Sequence, residues 1–149
     1  MSFTIRKAER ADMPTVMSLI RELAEYEKMT DQVSATAETL EASIFDRNEA
    51  RALMLEEDGE AIGYAIYCFN FSTFKGRAGL YLEDIYIRPQ NRGNGYGTQV
   101  FEYLKNTAKE LGCPRMDWVC LDWNEPSLKF YKGMGAEALR EWVIHRIEF

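Results

Sequence analysis

The segment from residue 80 to residue 112 has the pattern of a strand, a glycine-rich loop and a helix in direct succession. An apolar strand from about Leu80 to Ile87 is stopped by Pro89, because proline cannot donate to a β-ladder. Glycine then recurs at every second position before a helix that runs from about Gly97 to Leu111. Glycines let a ligand approach the backbone, and the first amides of a helix have no internal partner. This junction is therefore predicted to bind phosphate groups.

The glycines alone do not identify the ligand of this loop. The dinucleotide fingerprint GxGxxG needs a glycine at position 98, where Thr98 stands, and the GK[ST] sequence of a Walker loop is absent. A plain tight turn fits the glycines equally well. Arg92 precedes them and adds a fixed positive charge that suits phosphate oxygens, which favours the phosphate interpretation.

The chain contains no internal repeat or linker, which predicts a single domain over residues 1–149. Strands are predicted at Phe3–Lys7, Ala50–Glu56, Ala61–Phe71, Leu80–Ile87, Met116–Leu121, Ala136–Leu139 and Trp142–Glu148, with a hairpin turn at Asp58 and Gly59. Helices are predicted from a cap at Asp12 to about Lys28, after a cap at Thr36, over 97–111 with Val100, Leu104, Ala108 and Leu111 buried, and from a cap at Asn124 to about Met134. The order β-α-α-β-β-β-α-β-α-β-β indicates an α/β fold, a mixed sheet with helices on its faces.

Composition argues against several classes of function. The net charge is −6 without a dense Lys/Arg run, which disfavours nucleic-acid binding, and no stretch approaches the ~20 apolar residues that span a bilayer. The charged N-terminus does not fit a signal peptide, and three cysteines without CxxC spacing indicate reduced thiols, so a cytoplasmic location is expected. His145 is the only histidine, which disfavours a zinc site and a Ser-His-Asp arrangement, and no metal is predicted.

Arg92, Gly95 and Gly97 match the Q/R-x-x-G-x-G/A signature of the GNAT superfamily, whose loop binds the pyrophosphate of coenzyme A. Further segments resemble the spermidine/spermine (diamine) N-acetyltransferase branch, in the same order along the chain: Arg21–Glu27, Tyr81–Asp84, Asn124–Ser127 and Phe130–Lys132. The resemblance covers nearly the whole chain. It implies a GNAT-type sheet that is mixed and mostly antiparallel, flanked by helices. It also implies transfer of acetyl from acetyl-CoA to the primary amine of a small molecule, by direct attack in a ternary complex.

The resemblance also assigns roles to individual residues. The backbone of Ile85, Tyr86 and Ile87 would hold the pantetheine arm of acetyl-CoA. The other cofactor-binding positions it implies are Arg92, Gly93, Asn94, Gly95, Tyr96, Gly97, Thr98, Asn124, Ser127 and Tyr131. Tyr131 would also be the general acid toward the departing thiolate, and Glu83 would bind the amine and help to remove its proton. Tyr26 and Glu27 would line the acceptor site.

These roles suit the chemistry of amine acetylation. An alkylammonium loses its proton near pH ~10, as lysine does, so a carboxylate within reach is needed to accept that proton. A backbone N–H can stabilise the oxyanion, and a phenol can protonate the thiolate. Ordinary structural roles are open for the same residues. Glu83 and Asp84 are adjacent on a strand, where side chains point to opposite faces, so at most one of them is expected to face the site.

Two positions separate this chain from the polyamine-specific members of the branch, which carry an aspartate and a tryptophan where Ser72 and Phe74 stand. Loss of that carboxylate disfavours a long polycation. The residues from Ser72 to Arg77 and Leu121–Asn124 resemble a sister group that acetylates thialysine and related amino acids. A lysine-like ω-amine therefore ranks first as substrate, ahead of a diamine or polyamine, and Lys75 or Arg77 is a candidate partner for its carboxylate.

Two other functions fit parts of the pattern. A non-catalytic acetyl-CoA-binding sensor would have the same fold, but it would need neither Tyr131 nor Glu83. A nucleotide-phosphate module would have a similar loop, but the usual glycine patterns are missing. An acetyltransferase for another amine class is a further alternative. The resemblance implies a homodimer, which the residues themselves do not show.

Overall fold

A computed structural model describes residues 1–149, which divide into two compact units, Met1–Trp118 and Val119–Phe149. The first unit contains strands β1 (Phe3–Lys7), β2 (Arg51–Glu57), β3 (Glu60–Ser72), β4 (Arg77–Ile87) and β5 (Met116–Asp117) and helices α1 (Met13–Tyr26), α2 (Ala37–Glu41) and α3 (Tyr96–Glu110). The second contains helix α4 (Glu125–Gly133). None of these helices combines the length and the apolar character that a membrane span requires.

The five strands form one sheet in the order β1-β2-β3-β4-β5. The first four are antiparallel to their neighbours, and β5 is parallel to β4. Asp58 and Gly59, with φ of 52° and 82°, form the predicted hairpin turn between β2 and β3. The prediction of an α/β fold with a mixed, mostly antiparallel sheet is confirmed.

Helix α1 covers one face of the sheet. Its buried residues Met13, Val16 and Leu19 share a hydrophobic core with Tyr64 of β3 and Tyr86 of β4. Burial of such side chains contributes about 1.5–3 kcal/mol each. The sheet surface under α1 is therefore fixed, and polar groups at its margin are held in defined positions.

Of the caps predicted for the first two helices, the structure has one as a side-chain hydrogen bond. Thr36 caps α2 as expected, because its side chain accepts a hydrogen bond from the Thr39 N–H. Asp12 makes no capping bond to α1. Its Oδ2 instead accepts from the Glu9 N–H at 2.7 Å and pairs with Arg6 at 2.8 Å, which joins β1 to the 3₁₀ turn before α1.

Several predictions for the C-terminal third are wrong. Leu111 is 54% exposed, because α3 ends at Glu110 and Leu111 lies in the turn before Gly112. The strand predicted at 116–121 contains only the two residues of β5, and no strand forms at 136–139 or 142–148. These segments have β-forming residues, but a strand also needs a hydrogen-bonding neighbour, and no such neighbour pairs with them.

Substitution of Gly63 by alanine is expected to destabilise the sheet beside the glycine loop. A Cβ atom at Gly63 would lie 2.1 Å from the carbonyl oxygen of Tyr86, so β3 and β4 would have to separate. We expect a loss of about 1–3 kcal/mol in the free energy of unfolding, measured by urea denaturation. Gly133→Ala in α4, where a Cβ meets nothing within 4 Å, is the control. Equal stability of the Gly63→Ala variant and the unsubstituted protein would contradict the close strand contact.

Candidate functional site

The predicted strand–loop–helix junction is present between β4 and α3. β4 ends at Ile87, a 3₁₀ turn spans Pro89–Asn91, and Gly95 is the N-cap of α3. Gly93 and Gly95 have φ of 84° and 79°, a region that favours glycine. A Cβ atom at either position would meet nothing within 4 Å, so the space over the loop is open. Together with the first amides of α3, this opening suits an anionic group.

Two side chains of the loop are engaged by protein groups. The Tyr96 ring is buried and stacks on Phe3 with ring centroids 4.0 Å apart, while its hydroxyl donates to Glu57. The Asn94 side-chain amide donates to the Asn91 carbonyl at 3.1 Å. Tyr96 can therefore offer a ligand its backbone N–H but not its ring.

Arg92 connects the loop with the end of α1. Its Nε donates to the Ile87 carbonyl at 2.7 Å, and its guanidinium lies 5.3 Å from the ring centroid of Tyr26 and 5.6 Å from that of Tyr86. Both distances fall in the cation–π range. The residue is exposed and its two terminal nitrogens have no protein hydrogen-bond partner, which leaves them available to a phosphate.

A second polar link ties α1 to the end of β4. The Tyr86 hydroxyl donates to Glu22 Oε1 at 3.1 Å, and Arg88 forms an ion pair with Glu22 at 3.0 Å. Glu22 lies in the Arg21–Glu27 segment that resembles the family, but the sequence predicts no role for Glu22 or for Arg88. The link holds Tyr86 under the Arg92 guanidinium.

One edge of β4 has no strand beside it near the loop. On the other edge, Ile85, Tyr86 and Ile87 pair with residues 63–65 of β3. β5 pairs with β4 only at Leu80 and Tyr81, so the backbone from Leu82 to Ile87 has no strand neighbour on that side. An extended ligand can bond to such an edge as an added strand would.

A β-bulge interrupts β4 at its two adjacent carboxylates. Ile66 pairs with Asp84 and Tyr67 pairs with Leu82, so Glu83 is an extra residue without a partner on β3. A bulge breaks the regular alternation of side chains. The prediction that Glu83 and Asp84 point to opposite faces assumes a regular strand. The bulge interrupts that regular alternation between the two residues.

Asp84 is a half-buried carboxylate without a basic partner. The Tyr64 hydroxyl donates to Asp84 Oδ2 at 3.2 Å. Burial raises the pKa of Asp84 to about 6, and the charges of Glu83 and Glu27 act in the same direction, while the bond from Tyr64 opposes them. A carboxylate in these surroundings gains from a nearby cation.

The two predicted acceptor-site residues on the first helix lie at its C-terminal end. Tyr26 is the last residue of α1, and Glu27 is its C-cap. Burial raises the pKa of Glu27. Burial raises the pKa values of Cys68 and Tyr81, and the charge of the exposed Glu83 acts in the same direction. Asp84 is thus within electrostatic range of both predicted acidic residues, Glu27 and Glu83.

In the second unit, the predicted site residues share the start of α4. Asn124 is the N-cap, and its side-chain oxygen accepts from the Ser127 N–H at 3.4 Å. Ser127 and Tyr131 follow at positions three and seven residues on, which lie on one face of a helix. Tyr131 is half-buried and its ring lies 5.7 Å from that of Phe130.

The hairpin between β3 and β4 carries the residues that separate this chain from the polyamine-specific members. Ser72 is buried, and its hydroxyl accepts from the Lys75 N–H at 3.2 Å, so it has a role in the turn. Phe74 is fully exposed. Arg77 donates to the Leu111 carbonyl at the end of α3, so of the two candidate cations Lys75 is the one whose charged group makes no protein hydrogen bond.

The site therefore combines an open loop suited to an anion, a strand edge without a neighbouring strand, and two carboxylates without a basic partner on adjacent residues of that strand. These are the parts expected of a protein that binds a long phosphorylated ligand beside a cationic one. The profile of the Acetyltransferase (GNAT) family matches residues 15–136. The chain belongs to this family and is an acetyltransferase.

Two similar proteins carry acetyltransferase in their names, and one solved structure has the same fold. The chain is 39% identical over 156 residues to a bovine (Bos taurus) thialysine N-epsilon-acetyltransferase, covering 97% of this chain and 91% of the relative. It is 32% identical over 142 residues to the human spermidine/spermine N(1)-acetyltransferase-like protein 1, covering 90% of this chain and 20% of that protein. An integron cassette protein from the mobile metagenome of V. cholerae matches with a TM-score of 0.81 and 26% identity, over 100% of this chain and 94% of the other.

Proposed function

We propose that the protein transfers the acetyl group of acetyl-CoA to the primary amine of a small molecule, in a ternary complex. The observation that supports this most is the continuity of β4, whose free edge runs from the Glu83–Asp84 bulge directly into the open glycine loop. This edge then has carboxylates that can bind an amine at one end. At its other end it has backbone amides that can bind phosphates.

The residues fit acetyl-CoA, which supplies the acetyl thioester. The amides from Gly93 to Thr98 and the free nitrogens of Arg92 would hold its pyrophosphate. The edge of Ile85–Ile87 would hold the pantetheine arm, and a backbone N–H there would stabilise negative charge on the thioester oxygen. Asn124, Ser127 and Tyr131 complete the predicted cofactor set.

The other roles belong to four side chains. Glu83 binds the ammonium and helps to remove its proton, and Tyr26 and Glu27 line the acceptor site. Tyr131 gives a proton to the departing thiolate. Holding both substrates together supplies much of the rate, because a bimolecular reaction becomes effectively unimolecular.

We infer that the acceptor is thialysine or a lysine-like ω-amine, with a short diamine or polyamine next. Two observations support this order. Ser72 is buried in a turn where the polyamine-specific members carry a carboxylate, and Lys75 is exposed with its ammonium unpaired. A substrate with a carboxylate could pair with Lys75. A homodimer and a cytoplasmic location, which the resemblance and the composition favour, remain proposals.

Thiol release from acetyl-CoA tests this proposal, with thialysine, lysine, ornithine, putrescine, spermidine and spermine as acceptors. We expect the highest kcat/KM with thialysine or lysine. A preference for polyamines would contradict the substrate order but support the reaction. Turnover only with a protein N-terminus, an aminoglycoside or an arylamine would contradict the proposed substrate class.

A further inference from the structure

Asp84, the neighbour of Glu83, fits the role of proton acceptor for the amine better than Glu83 does. We propose that Asp84 receives the proton of the acceptor ammonium and that Tyr64 is the residue that positions Asp84 for this step. This inference rests on the proposed function and concerns the same site. Glu83 keeps its role in binding the ammonium.

The geometry separates the two carboxylates. Glu83 is exposed on the bulge, without a partner on β3 and without a hydrogen bond. Asp84 is half-buried and is held at Oδ2 by the hydroxyl of Tyr64, a residue with 0% exposure in the core under α1. A proton acceptor works best when its position is fixed, and only Asp84 meets this condition.

The charged groups around Asp84 are acidic, which favours the binding of a cation. The titratable groups that act on it are Tyr64 from β3, Glu83 from β4 and Glu27 from the end of α1, and none of them is basic. The second oxygen of Asp84 has no protein hydrogen-bond partner. An ammonium beside this oxygen would offset the repulsion among three carboxylates.

The step balances without any further reactant. One N–H bond of the ammonium breaks, its proton passes to the free oxygen of Asp84, and the electron pair stays on nitrogen. The neutral amine then forms the C–N bond to the acetyl carbon. As the C–S bond breaks, the thiolate takes the phenol proton of Tyr131, and the nitrogen loses a second proton, which restores the Tyr131 phenol. Asp84 afterwards releases its proton to water.

The pH dependence follows from the requirement that Asp84 be ionised. The kcat/KM for the amine is expected to fall below about pH 6, where Asp84 becomes protonated. This fall is the acid limb of the pH profile. Tyr64→Phe removes a hydrogen bond that favours the carboxylate, so the acid limb is expected to move to higher pH. Glu83→Gln removes a negative charge that opposes ionisation, so the limb is expected to move to lower pH.

The test combines four variants in the thiol-release assay. Asp84→Asn is expected to lower kcat/KM for the amine by at least about 100-fold, with acetyl-CoA affinity retained in calorimetry. Tyr64→Phe and Glu83→Gln are expected to shift the acid limb in opposite directions. Tyr67→Phe changes another buried tyrosine of β3, which makes no hydrogen bond to Asp84 and does not shift its pKa, and it is expected to leave the limb in place.

Melting temperatures separate chemistry from folding. The pKa of Asp84 is raised in the folded protein, so its ionisation lowers stability as the pH rises from about 4 to about 6, and the full cost is present at pH 8. Asp84→Asn is therefore expected to melt at the same or a higher temperature at pH 8, although its kcat/KM for the amine is lowered by at least about 100-fold. A merely structural aspartate would give a lower melting temperature.

Three results would overturn the inference. An unchanged kcat/KM for the amine in Asp84→Asn would overturn the inference but leave the proposed function intact. Loss of the acid limb in Glu83→Gln, with the limb preserved in Asp84→Asn, would make Glu83 the proton acceptor. Absence of turnover by the unsubstituted protein with every amine would remove the proposed function, and this inference with it.

Discussion

Replacement of Tyr131 by phenylalanine is expected to lower kcat for amine acetylation by about 100-fold, because a phenol that protonates the thiolate is lost. The ring itself remains, so the half-buried position on α4 is kept and acetyl-CoA affinity is expected to change little. The measurement is kcat by thiol release across the pH range, with acetyl-CoA affinity from calorimetry.

Tyr103→Phe provides the control for this substitution. Tyr103 is also a half-buried helical tyrosine, on α3, and it has no role in the proposed reaction. Its variant is expected to keep its kcat. An unchanged kcat in Tyr131→Phe at every pH would remove Tyr131 as the general acid.

Arg92→Ala is expected to weaken acetyl-CoA binding by about 10- to 100-fold, the range for loss of a hydrogen bond to a charged group. The same guanidinium lies over the rings of Tyr26 and Tyr86, so its removal also frees the end of α1. We therefore expect KM for the amine to rise as well. Calorimetry with CoA and initial rates with varied amine measure the two effects separately.

Arg51→Ala is the control for Arg92→Ala, because it removes the same charge away from the loop. Arg51 is an exposed arginine at the start of β2. Its CoA affinity is expected to equal that of the unsubstituted protein. Equal CoA affinity in Arg92→Ala would contradict the phosphate assignment. A change in CoA affinity alone would contradict the link between the loop and Tyr26.

Local signals predicted the parts of the fold that are determined locally. Pro89, Gly93 and Gly95 mark the junction between β4 and α3, since proline ends a ladder and glycine adopts positive φ. Asp58 and Gly59 mark the hairpin for the same reason. Each of these features depends on a few neighbouring residues, so the sequence pattern was sufficient.

Features that depend on distant partners could not be predicted in the same way. The residues predicted as a strand at 142–148 have the right composition, but pairing decides whether they form one. The bulge at Glu83 is visible only in the register of β4 against β3. The sequence therefore gives no signal that the Tyr64 hydroxyl holds Asp84 in place.

The candidate site was predicted unevenly. The loop pattern predicted the open glycine junction that the structure has, while the roles that the resemblance gives to Tyr26 and Glu27 stay predictions. The loop pattern and the resemblance gave no signal for the contacts from Glu22 to Tyr86 and Arg88, which join residues more than 60 positions apart. They also left Arg77 as a substrate-binding candidate, whereas its guanidinium bonds the end of α3. Such contacts follow from tertiary structure alone.

Transfer of a labelled acetyl group tests the central claim most directly. The protein is incubated with acetyl-CoA carrying ¹³C in its acetyl group and with thialysine, lysine or putrescine. Products are followed by NMR and the protein by intact mass. We expect one N-acetylated amine for each thiol released, and no acetylated form of the protein as an intermediate. Label that stays on acetyl-CoA with every amine, while CoA still binds, would contradict the central claim.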